Sequence, residues 1–515
     1  MKWLFRPRTH GLDLFWRHML VFTCFGAVTL LSGCAVGPDY ELPDTPMPED
    51  WFTTSARDFT EVEPLQEWWS ALDDTILTNL IKRAELANLD LAQAVARIEE
   101  TRALKGISKG DFWPQLRLGG TFNRTKLSDN SNLGALLPEG ESFAPVNAWE
   151  FGLDANWELD LFGRIRRRTE AANADLQATV EDYRGVLVSL SAEVATNYIQ
   201  VRSLQTRIEF AKSNAEAQRE TVGLTQDRFD AGLVSALDVT QARSNLATTE
   251  AQIPSLQTNL EAALNRLAIL LAEPPGSVHQ ELWEPKPIPT PPDSLTVGLP
   301  GDLLRRRPDV RSAERQLAAQ TARIGVATAD LFPTFSISGF ASRSAVVFED
   351  LGQKSSNTWG IIPGFVWDIF TGGKIRNQIQ AEEARTEQAL LAYEKSVLLA
   401  LEEVENAMVA YERERVRQER LEEAVSASER SVELVHTQYL SGLADFQRYL
   451  DSQRALFSQQ DQLAESEGLV VQYLIALNKA LGGGWTSESQ TQTEMAAVEV
   501  VNPDAPASPD RGGSK

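Results

Sequence analysis

Two periodicities organise the chain. From Lys374 to Ser441, 68 residues pass without Gly or Pro, and apolar side chains recur at every seventh position: Val397, Val404 and Tyr411, then, after polar Gln418, Val425, Val432 and Tyr439. The run predicts a helix with a coiled-coil seam, roughly 100 Å long at about 1.5 Å per residue. Upstream, Leu176, Tyr183 and Leu190 interleave with Val180, Leu187, Val194, Val201 and Ile208, with a break at Asn197, and predict a second such helix. Between the helices the period drops to two. Trp149, Phe151, Leu153, Ala155, Trp157 and Leu159 alternate with Glu150, Gly152, Asp154, Asn156, Glu158 and Asp160, which suits a strand with one apolar and one wet face. Similar alternation predicts strands near 115–124 and 334–342, and a less regular one near 359–368.

The chain also repeats itself. Arg228–Leu246 and Gln438–Leu456 align with Phe229 on Tyr439 and Gly232 on Gly442, 210 residues apart. Upstream, Asp90 matches Asp309 and Pro114 matches Pro333, 219 residues apart, and Leu159-Asp-Leu-Phe-Gly matches Trp367-Asp-Ile-Phe-Thr-Gly-Gly. Two copies of one module follow, each predicted to hold two strands and a long helix that reverses at a Gly-centred turn, Gly232 or Gly442. The expected divisions are 1–33, a signal segment; 34–272, the first repeat; 273–308, a Pro-rich linker; 309–484, the second repeat; and 485–515, an aperiodic tail expected to be flexible.

Trp149 and Trp157, like Trp359 and Trp367, are eight residues apart, about 26 Å along a strand, close to the apolar band of about 25 Å in an outer-membrane barrel. Four strands cannot close such a barrel, and lipid tolerates no open edges, so several chains would have to share one.

The N-terminus fits this address. Met19–Leu31 is a short apolar run preceded by Lys2, Arg6, Arg8 and Arg17, and it ends in Leu31-Ser32-Gly33-Cys34, a lipobox. Cys34 is the expected lipid attachment site and the first residue of the exported chain, and Ala35 after it favours the outer membrane. The formal charge of −23, from 72 acidic and 49 basic residues, excludes a nucleic-acid partner, whose phosphates call for a basic footprint. Residues 1–33 hold four basic residues and one acid, so their removal takes −23 to −26.

At the residue level, Cys34–Trp51, Trp68–Leu91, Leu299–Pro333 and Tyr439–Leu456 resemble the NodT-type outer-membrane efflux lipoproteins, relatives of TolC and OprM. The resemblance spans Cys34 to about Gly484. It implies an α+β membrane protein: a homotrimer whose twelve-stranded β-barrel, four strands per chain, continues into a long periplasmic α-helical coiled-coil barrel, with two tandem structural repeats per chain. It further implies a passive exit channel of a tripartite efflux pump, with a periplasmic membrane-fusion adaptor, an inner-membrane pump of the resistance-nodulation-division type and outer-membrane lipid as partners. A type I protein-secretion duct, or a lipid-anchored coiled-coil scaffold without a pore, are the alternatives.

Three sets of residues follow. Glu150, Asp154, Glu158 and Asp160 would face the lumen and favour cations. Around Gly442 the family pattern falls on Tyr439, Phe446, Leu450, Asp451, Gln453 and Arg454. The resemblance implies a ring of Asp451 narrowing the closed periplasmic entrance, with Arg454 tying the coils together. Gln447 takes a position that is commonly apolar, and Asp238 is a second gate candidate. A plain i to i+3 surface pair of Asp451 and Arg454 is the competing reading. Gly232, Leu233 and Val234, with Gly442, Leu443 and Ala444, would meet the adaptor. No enzyme, metal or cofactor is expected: outside the signal the only His residues are His279 and His436, and neither stands in a metal-ligand spacing.

Overall fold

The computed structural model describes residues 35–53, 59–60, 67–133, 136, 138, 140–292, 295–296 and 300–485. Cys34 and residues 486–515 of the expected tail lie outside them.

The elements come in two sets. After helix α1 (Thr75–Ala87), the first set is α2 (Leu89–Gly110), strands β1 (Gln115–Thr125) and β2 (Val146–Leu159), α3 (Arg164–Asp230) and α4 (Ala236–Leu270). The second is α5 (Pro308–Ala329), β3 (Thr334–Ala345), β4 (Asn357–Val366), α6 (Lys374–Leu440) and α7 (Phe446–Ala480). Corresponding helices have equal lengths: 22 residues for α2 and α5, 67 for α3 and α6, 35 for α4 and α7.

The chain forms two compact units, and each draws on both repeats. The first, made by the described residues up to Pro43 with Glu100–Gln177 and Glu314–Leu391, holds the sheet β1-β2-β3-β4, antiparallel throughout. Among the described residues its outer strands, β1 and β4, each pair on one side only. The ladders keep side chains of one kind on one face: Phe122 opposes Trp149, Leu118 opposes Leu153, Trp157 opposes Ile337 and Phe335 opposes Phe365. This apolar face is uncovered, with Leu116, Leu118, Phe151, Trp359, Ile361 and Phe365 all exposed. In water that arrangement is unfavourable at about 25 cal/mol per Å², so the face calls for a hydrocarbon surround. Among the described residues no helix is long and apolar enough to cross a membrane.

The second unit, made by the described residues of Asp44–Glu99, Ala178–Ala313 and those from Ala392 on, contains the main core. The seven-residue seam of α6 is buried at Val397, Val404 and Tyr411 and again at Tyr439. Val194, Val201 and Ile208 of α3 are buried too, against Leu264 and Leu267 of α4. Polar groups lock this core. Asp74 caps α1 by accepting from the Ile76 and Leu77 amides at 2.8 and 3.0 Å, and it also accepts from Tyr198 Oη at 2.6 Å. Burial and the Asp74 carboxylate push the Tyr198 phenol up from its ordinary range.

Candidate functional site

The tips, where α3 turns into α4 and α6 into α7, are built alike. Helix α6 ends when Gly442 takes φ 74°, so that its amide donates to Tyr439 O at 3.1 Å and the Leu443 amide to Gln438 O at 2.8 Å. Gly232 takes φ 73°, with Gly232 N to Phe229 O and Leu233 N to Arg228 O both 2.8 Å. Both turns close the last helical carbonyls with a left-handed residue, a conformation that favours Gly. Open space surrounds both glycines, and Leu233 and Leu443 beside them are exposed.

The second tip is filled with rings. Tyr439, Phe446, Tyr449 and Leu450 form a buried cluster with Ala242 of α4. Tyr439 stacks on Tyr449 with centroids 5.8 Å apart, and His436 lies 5.2 Å from Tyr449. Arg228 of α3 places its guanidinium 4.5 Å from the centre of the Tyr439 ring and donates to the Tyr439 carbonyl at 3.1 Å. Gln453 Nε2 donates to Tyr449 Oη at 3.0 Å and to Thr221 Oγ1 at 3.1 Å. Burial pushes the Tyr439 phenol above its ordinary range.

Of the expected gate residues, Gln447, Asp451 and Arg454 lie on the first turns of α7 and Asp238 on the first turn of α4. Asp451 is exposed; it accepts from Gln447 Nε2 at 2.9 Å, and Arg454 Nη1 stands 3.7 Å away. The main bond of Arg454 runs across to α4, where Nε donates to Oδ1 of buried Asn245 at 2.7 Å. Asp238 has a local role: its Oδ2 accepts from the Ser235 amide at 3.3 Å, capping α4. Asp445 does the same for α7 through the Arg448 amide at 2.9 Å.

The four strand acids do not form one row. Asp160 lies past the end of β2 and caps α3, accepting from the Ile165 and Arg166 amides at 3.0 and 2.9 Å and pairing with Arg166. The chain turns there because Leu161 N reaches back to Leu159 O at 2.8 Å. Glu158 is clasped by Arg164, whose Nε donates at 3.0 Å. Asp154 sits opposite Arg117 in the β1–β2 ladder, and Glu150 accepts from Ser342 Oγ at 3.2 Å. The wet face is therefore mixed in charge: arginines hold Glu158 and Asp160, and Asp154 has Arg117 as its ladder neighbour.

Two further features escape a reading of periods. Trp157 Nε1 donates to Phe112 O at 2.9 Å and Trp367 Nε1 to Leu331 O at 3.0 Å, so each indole ties a strand foot to the carbonyl two residues before Pro114 or Pro333. Arg228 and Asn245, which join the two hairpins at the tip, contact partners more than 200 residues away. Among the described residues no three His, Cys, Asp or Glu side chains group as metal ligands would.

A family described as outer membrane efflux protein matches residues 80–273 and 299–483, one stretch for each repeat, the second beginning in the linker. Nodulation protein T of Rhizobium leguminosarum bv. trifolii is 33% identical over 459 residues, covering 88% of this chain and 96% of the relative. The toluene efflux pump outer membrane protein TtgI of Pseudomonas putida is 32% identical over 471 residues, with 89% and 97% covered. Among solved structures, the outer-membrane channel OprN superposes with a TM-score of 0.82 at 36% identity, over 88% of this chain and all of that one.

Proposed function

The chain belongs to the outer membrane efflux protein family, and we propose that it is the outer-membrane exit channel of a tripartite resistance-nodulation-division pump, a passive conduit for small toxic compounds. The observation that carries the reading is the four-stranded sheet with a broad apolar face left uncovered, Leu116, Leu118, Phe151, Trp359, Ile361 and Phe365 among its exposed side chains. A soluble scaffold has no use for such a face; a barrel wall in lipid requires it. Three copies would supply twelve strands, and their helices would continue the duct into the periplasm.

In this reading Leu233 and Val234 at one turn, and Leu443 and Ala444 at the other, give the adaptor two similar apolar footholds beside Gly232 and Gly442. Copies of Asp451 around the axis repel one another, and Arg454, anchored on Asn245, holds them in place; Gln447 lines the same constriction and makes it polar. Inside the barrel Glu150 and Asp154, with Glu158 partly neutralised by Arg164, set a mild preference for cations. Cys34 carries the lipid.

Purified protein should open channels in a planar bilayer, and cells lacking it should lose tolerance to toxic small molecules; a protein that never conducts cannot be this duct. Replacing Cys34 by Ser should abolish incorporation of labelled palmitate, and retained label would place the lipid elsewhere.

A further inference from the structure

The charged residues of the four strands divide by face. Arg117, Glu150, Asp154 and Glu158 lie on the wet side of the sheet, whereas Arg124 and Arg343 share the parity of Leu118, Phe122, Ile337 and Ala341, the apolar side. The two arginines are 219 residues apart, the spacing that relates β1 to β3 through the repeat, so each copy of the module sets one cation at the same place on the apolar face. Both are exposed, and each opposes an asparagine, Arg124 with Asn147 and Arg343 with Asn357. Among the described strand residues no Asp or Glu lies on that face.

On a wall that faces lipid, an arginine is costly at mid-depth and well tolerated only near an interface. The heights of these two fit an interface. Asn147 is ten residues from Trp157, and Asn357 is ten from Trp367. Ten residues span about 33 Å along a strand, or about 25 Å of height at a tilt of about 40°, the full apolar band of an outer-membrane barrel. The two indoles mark the lower edge, where they hold carbonyls of the segments leading into β1 and β3. The arginines mark the opposite edge. Arg124 stands one pleat beyond Phe122 and Trp149, whose ring centroids are 4.2 Å apart, and Phe348 folds back onto Trp149 at 5.0 Å.

Their charges are also unspent. Lys126, just past β1, has Asp129 at 3.2 Å, but among the described residues Arg124 has no carboxylate partner. Arg343 donates from Nη1 to the Leu351 carbonyl at 3.2 Å, a neutral acceptor that aims the guanidinium and leaves its charge unpaired. Building on the barrel proposed above, in which this end of the sheet reaches the outer leaflet, we infer that Arg124 and Arg343 dock the phosphate groups of a phosphorylated glycolipid. The planar guanidinium takes a phosphate through paired hydrogen bonds, and the acyl chains run down the apolar face past Phe122 and Trp149. Three copies would ring the barrel with such sites, outside the conduction path.

The full-length protein, purified in mild detergent and stripped of lipid, tests this with two probes: bisphosphorylated lipid A, and the same lipid A after enzymatic removal of its phosphates. Native mass spectrometry counts the molecules retained. The bisphosphorylated form should be retained about tenfold better. Arg124→Gln with Arg343→Gln should abolish that advantage, and either change alone should remove about half of it. Arg124→Lys with Arg343→Lys should keep most of it, because phosphate also accepts a point charge. Arg117→Gln, on the wet face, should leave it intact. Equal retention of the two lipids by the unaltered protein overturns the proposal without any variant. An undiminished advantage in the double glutamine variant, or an equal loss from Arg117→Gln, overturns it as well. The unaltered protein is also read for conductance in a planar bilayer. A conducting protein indifferent to lipid phosphate loses these sites and keeps its role as a duct; a protein that never conducts loses the duct and, with it, the membrane depth on which the sites depend.

Discussion

The turn at Gly232 and the turn at Gly442 are made by one backbone. Both follow a 67-residue helix, both precede a 35-residue helix, and their glycines differ by one degree in φ. The side chains have diverged. Tyr439 is 2% exposed, whereas its counterpart Phe229 is 40% exposed. Phe446 and Tyr449 of the second tip answer to Ala236 and Val239 of the first, and Asp451 and Arg454 to Gln241 and Ser244. Reversing a helix needs only a left-handed residue and a cap, and both copies keep those. Ordering a constriction needs rings and charges whose positions are over-determined by packing, and one copy alone has them. In the function proposed above, the second tip would carry the gate, while the turn, the cap and the exposed apolar foothold are common to both. Substitutions that treat the tips as equivalent, or as different, can break that division.

The largest difference should come from the rings. Tyr449→Ala removes a buried side chain that stacks on Tyr439, lies beside His436 and accepts from Gln453. Large aromatic truncations in a packed site cost about 3–5 kcal/mol, so amides over 432–453 should exchange with solvent hundreds of times faster. Phe229→Ala at the first tip should cost less than about 1 kcal/mol, because that ring is already partly in water. Hydrogen exchange read by mass spectrometry over both tips measures the pair; equal acceleration would mean that the first tip is packed as tightly as the second.

Next in size is the charged link. Arg454→Ala removes a hydrogen bond from a charged donor to buried Asn245, worth about 1.5–3 kcal/mol, and leaves Asn245 Oδ1 without that donor. Asp451→Ala removes an exposed carboxylate whose contact with Arg454 is long, 3.7 Å, and whose structural cost should be under about 0.5 kcal/mol. The double replacement should raise single-channel conductance in a planar bilayer, and Arg454→Ala alone should give most of the rise. The same changes made at the first tip, Gln241→Ala and Ser244→Ala, should leave conductance where it was. A rise from the first-tip pair, or none from the second, would remove the gate from α7.

Much of this architecture is legible in sequence because it depends on local periods. The Gly- and Pro-free run from Lys374 to Ser441 became Lys374–Leu440, and the strict alternation from Trp149 became the strand Val146–Leu159. The period misassigns Asp160: it continues the alternation, yet its carboxylate is used by the next helix, and a helix cap leaves no mark in a two-residue repeat. The tip network is illegible for another reason. Arg228 meets Tyr439, and Arg454 meets Asn245, across 211 and 209 residues. What could have pointed to them is the divergence between repeats, since a position that keeps Gly but gains an aromatic in one copy has acquired a partner that the other copy lacks.

The smallest effect, and the most discriminating, is expected at the glycines themselves. Neither Gly232 nor Gly442 has a heavy atom within 4 Å of where a Cβ would stand, so an alanine would meet no clash at either tip. What remains is the intrinsic cost of holding an L-residue at φ near 74°, about 1–2 kcal/mol, reduced by the 0.4–1 kcal/mol or so that alanine gains by restricting the unfolded chain. Both terms belong to the backbone, and the backbone is shared. Gly232→Ala and Gly442→Ala should therefore accelerate exchange at Leu233 and Leu443 by the same factor, about two- to fifteenfold, since 1.4 kcal/mol corresponds to a factor of ten. If Gly442→Ala proved much the more harmful, the ring cluster and the turn would be one cooperative unit, and the separation between a common reversal and a specialised gate would have to be given up. If the two match, adaptor footholds and constriction can be altered independently, because the turn that presents Leu443 does not depend on the rings packed behind it.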